Sequence, residues 1–133
     1  MSIRNANDND SQDVIKLIDS VLNEWNDAVC LEGSEADLLA IEEKYFRSGG
    51  VFAVMEVDGN VVGTHAVLPV DINAGLCTFK RLYLHEKLRG TSAGRDLMQW
   101  NIDWAKEKGF SKIEFWSDTR FQRAHRFFEK FGF

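Results

Sequence analysis

Hydrophobic residues near the start of the chain follow the spacing of an amphipathic helix. Between residues 11 and 25 they recur every three or four positions, behind Asp10 or Ser11 as the N-cap. The side chains on this face are Val14, Leu17, Ile18, Val21, Leu22 and Trp25. A short strand around Ile3 is predicted before the helix.

The next segment predicts a second helix, from residue 34 to about residue 46. Ser34 and Asp37 form an S-x-x-D pattern, which starts many helices because such side chains accept hydrogen bonds from the unpaired amides of the first turn. Gly49 and Gly50 then end the pattern.

Three β-rich segments follow, at residues 51–57, 60–68 and 76–84. Asp58 and Gly59 join the first two, and this pair tolerates the positive φ angles of a tight hairpin turn. The sequence therefore predicts three adjacent antiparallel strands.

The last third of the chain predicts a helix, a strand and a closing helix. The first helix begins near Ser92 and ends around Gly109, and a short buried strand occupies residues 112–117. The closing helix carries Phe121, Ala124, Phe127, Phe128 and Phe131 and stops at Gly132. This order of elements predicts an α/β fold (α+β in some schemes), with a mixed, mostly antiparallel sheet and helices on both faces.

The composition indicates one folded domain over residues 1–133. The chain is 44% hydrophobic, with ten Phe and four Trp to fill a core. Cys30 and Cys77 lie far apart, so we expect no metal site and a reducing, cytoplasmic setting. The sequence shows no leader pattern and no membrane-length apolar stretch, so we expect no membrane insertion. A net charge of −5 disfavours a nucleic-acid partner.

Residues 82–98 combine a strand, a turn of small residues and the start of a helix. Ser92, Ala93 and Gly94 leave little bulk over the first amides of that helix, at the positive end of its dipole, so the turn suits a pyrophosphate. Arg89 and Arg95 could add contacts to phosphate oxygens. The local pattern also fits an ordinary helix start, with Ser92 as the N-cap and two solvated arginines.

Two motifs resemble signatures of the GNAT superfamily, the acyl-CoA-dependent N-acyltransferases. The first is an Arg or Gln followed by x-x-G-x-G or A after a strand; Arg89 and Gly94 match it, and Ser92 stands where the first glycine usually is. The second is RAHRFFEKFGF at residues 123–133, which resembles the family's closing helix. The order of elements agrees as well, so the resemblance covers nearly the whole chain.

The resemblance implies that acetyl-CoA is the acyl donor and that its pantetheine arm lies along the strand at residues 79–84. The amide of Leu84 would then polarise the thioester carbonyl, which gives Leu84 the one implied catalytic role. The residues that the resemblance assigns to the cofactor are Leu82, Tyr83, Leu84, Arg89, Gly90, Thr91, Ser92, Ala93, Gly94, Arg95 and Phe128.

The two positions where the family keeps its proton-transfer groups are altered, so those groups stay unassigned; Phe121 also replaces a frequent Asn. Thr78 stands near a frequent Glu, and a threonine cannot act as a carboxylate base. Phe128 stands where the family usually has a Tyr that acts as the general acid. The substitutes that could act through water are Glu56, Glu86 and Asp118, whereas His65, His85 and His125 are interpreted as structural.

The family usually continues past its Gly-Phe pair with two more strands, whereas this sequence stops at Phe133. The resemblance therefore predicts a sheet that lacks its last two strands, through shortening, truncation or completion by a partner. An open strand edge at residues 112–117 favours association, so we expect a homodimer rather than a monomer.

Three functions stay open, in decreasing order of expectation. The first is an N-acetyltransferase that transfers an acetyl group from acetyl-CoA to a primary amine of a small molecule or peptide by direct attack. The second is a catalytically weak acyl-CoA-binding module, and the third is a cofactor-free interaction domain. The acceptor side offers only weak hints, namely Glu24, Glu32 and Glu35, with Trp25 and Trp116 as candidate pocket residues.

Overall fold

A five-stranded sheet organises the computed structural model, which describes residues 2–24, 26–32 and 36–114. Its strands are β1 (Ser2–Asn5), β2 (Val51–Val57), β3 (Asn60–Asp71), β4 (Leu76–Leu84) and β5 (Lys112–Glu114). They lie side by side in chain order; β1 to β4 pair antiparallel, and β5 runs parallel to β4. The predicted mixed, mostly antiparallel sheet is confirmed.

The hairpin between β2 and β3 forms at the predicted turn. Asp58 and Gly59 both have positive φ angles, 52° and 80°, and the flanking residues Val57 and Asn60 pair across the turn. Two positive φ angles give the turn a twist that matches the twist of the strands, which favours this pair of residues here.

The helices α1 (Ser11–Asn23) and α2 (Ala93–Glu107) cover opposite faces of the sheet. The apolar stripe of α1 is buried as predicted against Phe52, Val54 and Ala66. The core on the other face contains Val51, Val67, Cys77, Phe79, Met98 and Ile102. Because successive side chains of a strand point to opposite faces, β4 contributes to both cores.

The predicted second helix is not one regular helix. Residues Ala36–Leu39 form a 3-10 turn and Glu42–Phe46 form a π-helical turn. Leu38, Ile41 and Tyr45 are nevertheless fully buried, so the segment contributes one apolar side to the core. The prediction of one regular α-helix is therefore wrong. In this segment Asp37 accepts hydrogen bonds from Arg81 of β4 and from the Tyr45 hydroxyl.

Asp10 stands at the N-cap position of α1, one of the two residues predicted there, but its side chain has a different role. Asp10 makes no capping bond to α1; its carboxylate accepts two hydrogen bonds of 2.8 Å from the Arg4 guanidinium and one from the Asn7 amide. The Arg4 bonds hold the pKa of Asp10 below its ordinary value. Asn7 caps the short 3-10 turn before α1, where its side chain accepts from the Asn9 amide.

Several predicted features lie outside the described residues: Trp25, Ser34, Glu35, the end of the last predicted strand with Trp116 and Asp118, and the closing helix with His125 and Phe128. The homodimer and the cytoplasmic setting stay predictions. No helix within the described ranges is long and apolar enough to cross a membrane.

Candidate functional site

A β-bulge interrupts β4 just before its end. Thr64 pairs with Tyr83 and Ala66 pairs with Lys80, so Arg81 and Leu82 together stand opposite a single residue of β3. Arg81 has a φ of 60°, which is costly for a residue with a long side chain. The bulge was not predicted, although two adjacent cations in a strand break the alternation of polar and apolar residues and are a usable signal.

Contacts on both strands and beyond hold the bulge in place. The Thr64 hydroxyl donates to the Arg81 carbonyl at 2.8 Å. The Arg81 guanidinium donates to Asp37 at 2.6 and 3.2 Å, and the Tyr45 hydroxyl donates to the same carboxylate. Burial opposes the charge of Arg81, but attraction to Asp37 outweighs it and raises the pKa of Arg81 above its ordinary value.

After the bulge, the backbone of Leu84 faces away from β3. His85 donates its amide to the Val62 carbonyl at 2.8 Å, and in an antiparallel ladder the neighbouring residue then directs its polar groups to the opposite edge. The Leu84 carbonyl accepts there from Arg89, at 3.1 and 3.3 Å. Leu82 shares this edge because it lies two residues earlier in the strand.

Arg89 is held by the protein itself. Its guanidinium donates to both carboxylate oxygens of Glu24, at 2.7 and 2.6 Å, besides the Leu84 carbonyl. The hydrogen bond from Arg89 lowers the pKa of Glu24. Arg89 is exposed but ion-paired, and Glu24, predicted as a hint of the acceptor side, lies against the turn that precedes α2.

The first turn of α2 presents unpaired amides. Ser92 stands at the N-cap position of α2, as predicted, but its side chain makes no capping bond; the Thr91 hydroxyl accepts from the Ala93 amide at 3.2 Å instead. The amides of Ser92, Gly94 and Arg95 have no hydrogen-bond partner among the described residues. Arg95 is exposed, and its side chain has no partner there either.

The small residues of this turn have different surroundings. Gly90 has a φ of 81° and open space where a side chain would begin, whereas a Cβ on Gly94 would lie 3.0 Å from the Leu84 side chain. Ala93 is fully buried. Gly94 therefore permits α2 to pack on the end of β4, so a bulky substitution there would disturb packing as well as any ligand.

The predicted cofactor residues fall into three groups. Leu82, Leu84 and residues 89–95 come together at the end of β4 and the start of α2. Tyr83 faces the other side of the sheet, where its side chain packs in the core under α1. Phe128 lies outside the described residues.

Of the predicted proton-transfer candidates that the structure describes, Glu86 lies next to this place, where it acts on the charge of Arg89, and Glu56 does not. Glu56 pairs with Arg4 on β1, and Glu86 is exposed in the short turn after β4. His65 is fully buried under α2, where burial lowers its pKa to about 3. Thr78 is buried on the face of β4 opposite α2 and carries no ionisable group.

A cavity of about 500 Å³ borders the end of β4 from the side of α1. His85 and Leu88 contribute to its wall together with Lys16 and Asp13 of α1 and the tip of the β2–β3 hairpin. Within the ranges that the structure describes, no cluster of His, Cys, Asp or Glu could hold a metal ion.

Sequence comparison places the chain among acetyltransferases. The profile of the acetyltransferase (GNAT) family matches residues 18–133. The chain is 31% identical over 98 residues to the probable N-acetyltransferase camello of Xenopus tropicalis, covering 73% of this chain and 45% of that protein. It is 23% identical over 101 residues to the uncharacterized N-acetyltransferase YjgM of Escherichia coli, covering 75% and 60%. The chain spans about half the length of these curated relatives.

Solved structures share the fold. An acetyltransferase of the GNAT family from Staphylococcus aureus has a TM-score of 0.87 at 26% identity, covering 98% of this chain and 82% of that one. An acetyltransferase from Streptococcus agalactiae has a TM-score of 0.85 at 24% identity, covering 98% and 81%, and at that identity the likeness shows the fold alone. Since the family profile spans most of the sequence, this chain belongs to the GNAT family of acetyltransferases.

Proposed function

We propose that the chain is an N-acetyltransferase that uses acetyl-CoA to acetylate a primary amine of a small molecule or a peptide. Family membership supports the reaction class. The observation that carries the proposal is the meeting of two sets of unpaired backbone donors, the outer edge of β4 at Leu84 and the first turn of α2. Together they offer hydrogen bonds to an extended ligand that ends in phosphate.

The first turn of α2 fits the pyrophosphate of acetyl-CoA. The amides of Ser92, Gly94 and Arg95 lie at the positive end of a 15-residue helix, where an anion is favoured. The exposed Arg95 guanidinium would add a charge-assisted hydrogen bond. Arg89 would take part only by giving up its pairing with Glu24.

The end of β4 fits the other end of the ligand. When bound, acetyl-CoA would supply a thioester carbon that an amine can attack, with CoA leaving as a thiolate. The amide of Leu84 would donate to the carbonyl oxygen, and such a bond strengthens as negative charge develops on that oxygen. Because the donor is a backbone group held by the strand, this contribution needs no particular side chain.

The proton of the acceptor amine is proposed to leave through water. Glu24 and Glu56 are both engaged with arginines, and Thr78 has no ionisable group. The buried threonine in place of a base also favours the second candidate function, an acyl-CoA-binding module with little turnover. Both functions require the protein to bind acetyl-CoA, and only the acetyltransferase transfers the acetyl group at a substantial rate.

The test of binding compares two substitutions of one residue. Ser92 has a φ of −74°, which proline can adopt, so Ser92→Pro removes one amide donor from the first turn of a helix that tolerates proline there. Ser92→Ala keeps the amide and removes only the hydroxyl. We expect calorimetric titration with acetyl-CoA to show affinity reduced about 10-fold or more in the proline variant and unchanged in the alanine variant.

Acetyl-CoA that does not bind to the wild-type protein at all would overturn the proposed function. Equal affinity of the wild type and Ser92→Pro for acetyl-CoA would show that its phosphates bind elsewhere than at this turn. A matching melting temperature of the two variants is the control that the fold is intact.

A further inference from the structure

Lys80 is a lysine in the middle of a sheet, one residue before the bulge of β4. It pairs in register with Ala66, whose side chain lies in the core under α1, so Lys80 projects from the same face. This is the face of β4 opposite α2, and Thr78 shares it.

The ammonium of Lys80 has no neutralising partner among the residues that the structure describes. Its side chain is half-buried and forms no hydrogen bond or ion pair in the part of the chain that the structure describes. The nearby carboxylate, Asp37, is already bound to Arg81 and Tyr45. Burial and the adjacent Arg81 both lower the pKa of Lys80, and Asp37 only partly offsets them.

The charges around the bulge therefore leave one positive charge in excess. Lys80 and Arg81 each carry a positive charge, and Asp37 is the one carboxylate that acts on both among the described residues. A partly buried cation without a partner is unfavourable, because it loses hydration and gains no ion pair. A ligand that supplies an anion would offset this cost.

The position of this charge relates it to the acceptor. The segment that contains Asp37 and Tyr45 is bound to β4 at the bulge, and Lys80 lies where the two meet. Leu84, whose amide we assign to the donor carbonyl, lies only four residues further along the same strand. Four residues of a strand span roughly 13 Å, and a long side chain that leans along the strand covers part of that distance. A small molecule that contacts Lys80 would thus extend toward the reacting end of the donor.

We propose that Lys80 binds an anionic group of the acceptor, so that the preferred substrates are small amines with a carboxylate or a phosphate close to the amino group. The proposal rests on the proposed acetyltransferase function and adds the class of acceptor. A lysine ammonium is a compact point charge that binds a carboxylate or a phosphate, so Lys80 by itself does not select between these two anions.

The experiment compares matched acceptors in the acetyl-CoA-dependent release of thiol. Glycine is paired with glycinamide, and O-phosphoethanolamine with ethanolamine, so that each pair differs in the anion. Each acceptor is also titrated calorimetrically into the CoA complex, which measures binding without turnover. The variants are Lys80→Met, Lys80→Arg and, as a control that removes the same charge from an exposed position, Lys44→Met.

We expect the wild type and Lys44→Met to prefer one or both anionic acceptors over their neutral partners by about 10-fold or more in kcat/KM and in affinity. Lys80→Met should lose this preference, mainly through KM, and Lys80→Arg should keep most of it. Acetyl-CoA affinity should be unchanged in all variants. Preference for glycine or for phosphoethanolamine alone identifies the anion.

Two results would overturn the proposal. Equal binding and turnover within each pair by the wild type would show that no anion is recognised, and a preference that persists in Lys80→Met would assign it to another residue. Either result leaves acetyl-CoA binding intact and so the proposed function standing. Failure of the wild type to bind acetyl-CoA would overturn both the proposed function and the proposal for Lys80.

Discussion

His65 is a titratable side chain that the fold keeps in its neutral form. Its ring is fully buried between β3 and α2, with Phe79 edge-to-face at 4.9 Å. Asn101 of α2 contacts the ring at Nδ1, at 2.7 Å, and donates to the His65 carbonyl at 3.0 Å. Burial lowers the pKa of His65 to about 3, so protonation of the ring is compatible with the unfolded chain but not with this packing.

Acid should therefore destabilise the protein partly through His65. The unfolded chain takes up this proton as the pH falls below about 6.5, while the folded protein does so only near pH 3, so the free energy of unfolding decreases across that window. We expect His65→Gln to be less stable at pH 7 but to lose less stability between pH 7 and pH 4. The difference in slope should approach about 1.4 kcal/mol per pH unit.

Urea unfolding at several pH values measures this difference. Asp10, whose pKa is lowered by Arg4, adds acid sensitivity to both proteins and cancels in the comparison. Parallel pH profiles of the wild type and His65→Gln would show that the ring titrates normally in the folded state.

At the residue scale, the sequence predicted the position of the turn before α2 but not the contacts that its residues make. The turn at residues 89–95 follows from small residues between a strand and a helix, which is a local pattern. The partner of Arg89 is Glu24, 65 positions earlier, and no local pattern can reveal such a pair. Thr91 and Ser92 were equally suitable capping residues by type, and only the backbone geometry distinguishes them.

At the scale of elements, the bulge of β4 and the segment at residues 36–46 depend on each other. Asp37 and Arg81 are 44 positions apart, yet their ion pair joins the irregular helical segment to the strand. The S-x-x-D start and the Gly49-Gly50 stop predicted one helix here, but they could not predict that the segment forms a 3-10 turn and a π-helical turn instead. The Asp37–Arg81 ion pair is likewise invisible to sequence periodicity, which reports only local geometry.

Asp37→Asn should destabilise this junction. Arg81 is largely buried, so losing its counter-ion leaves a cation next to Lys80 with little compensation. We expect a loss of about 1–3 kcal/mol in the free energy of unfolding, measured by urea titration. The matched control is Asp58→Asn, an exposed turn residue at positive φ, where asparagine is equally suitable and little change is expected.

A double-mutant cycle identifies the cause of that loss. In an Arg81→Met background there is no buried guanidinium to neutralise, so Asp37→Asn should cost clearly less than in the wild type. An equal cost in both backgrounds would assign the effect to the Asp37–Tyr45 hydrogen bond rather than to the ion pair.

For the molecule as a whole, the order of elements and the two-sided core were predictable because they rest on repeated apolar positions. The strands β2, β3 and β4 show β-rich composition with turn residues between them, and α1 shows a single apolar face. The site could be predicted only as a location, because its chemistry depends on which backbone groups stay unpaired after folding. That information belongs to the register of β4 and to its bulge.

Because the candidate site joins β4 to α2, a ligand bound there should stabilise the whole fold. A ligand that binds only the folded state at 100 times its dissociation constant adds about 2.7 kcal/mol to the free energy of unfolding. For a chain of this length we expect acetyl-CoA at that concentration to raise the melting temperature by ~10 °C. Ser92→Pro, with fewer donors to phosphate, should show a clearly smaller rise at the same concentration, and Ser92→Ala the full rise. A shift of equal size in all three proteins would mean that acetyl-CoA stabilises the fold from somewhere other than the start of α2.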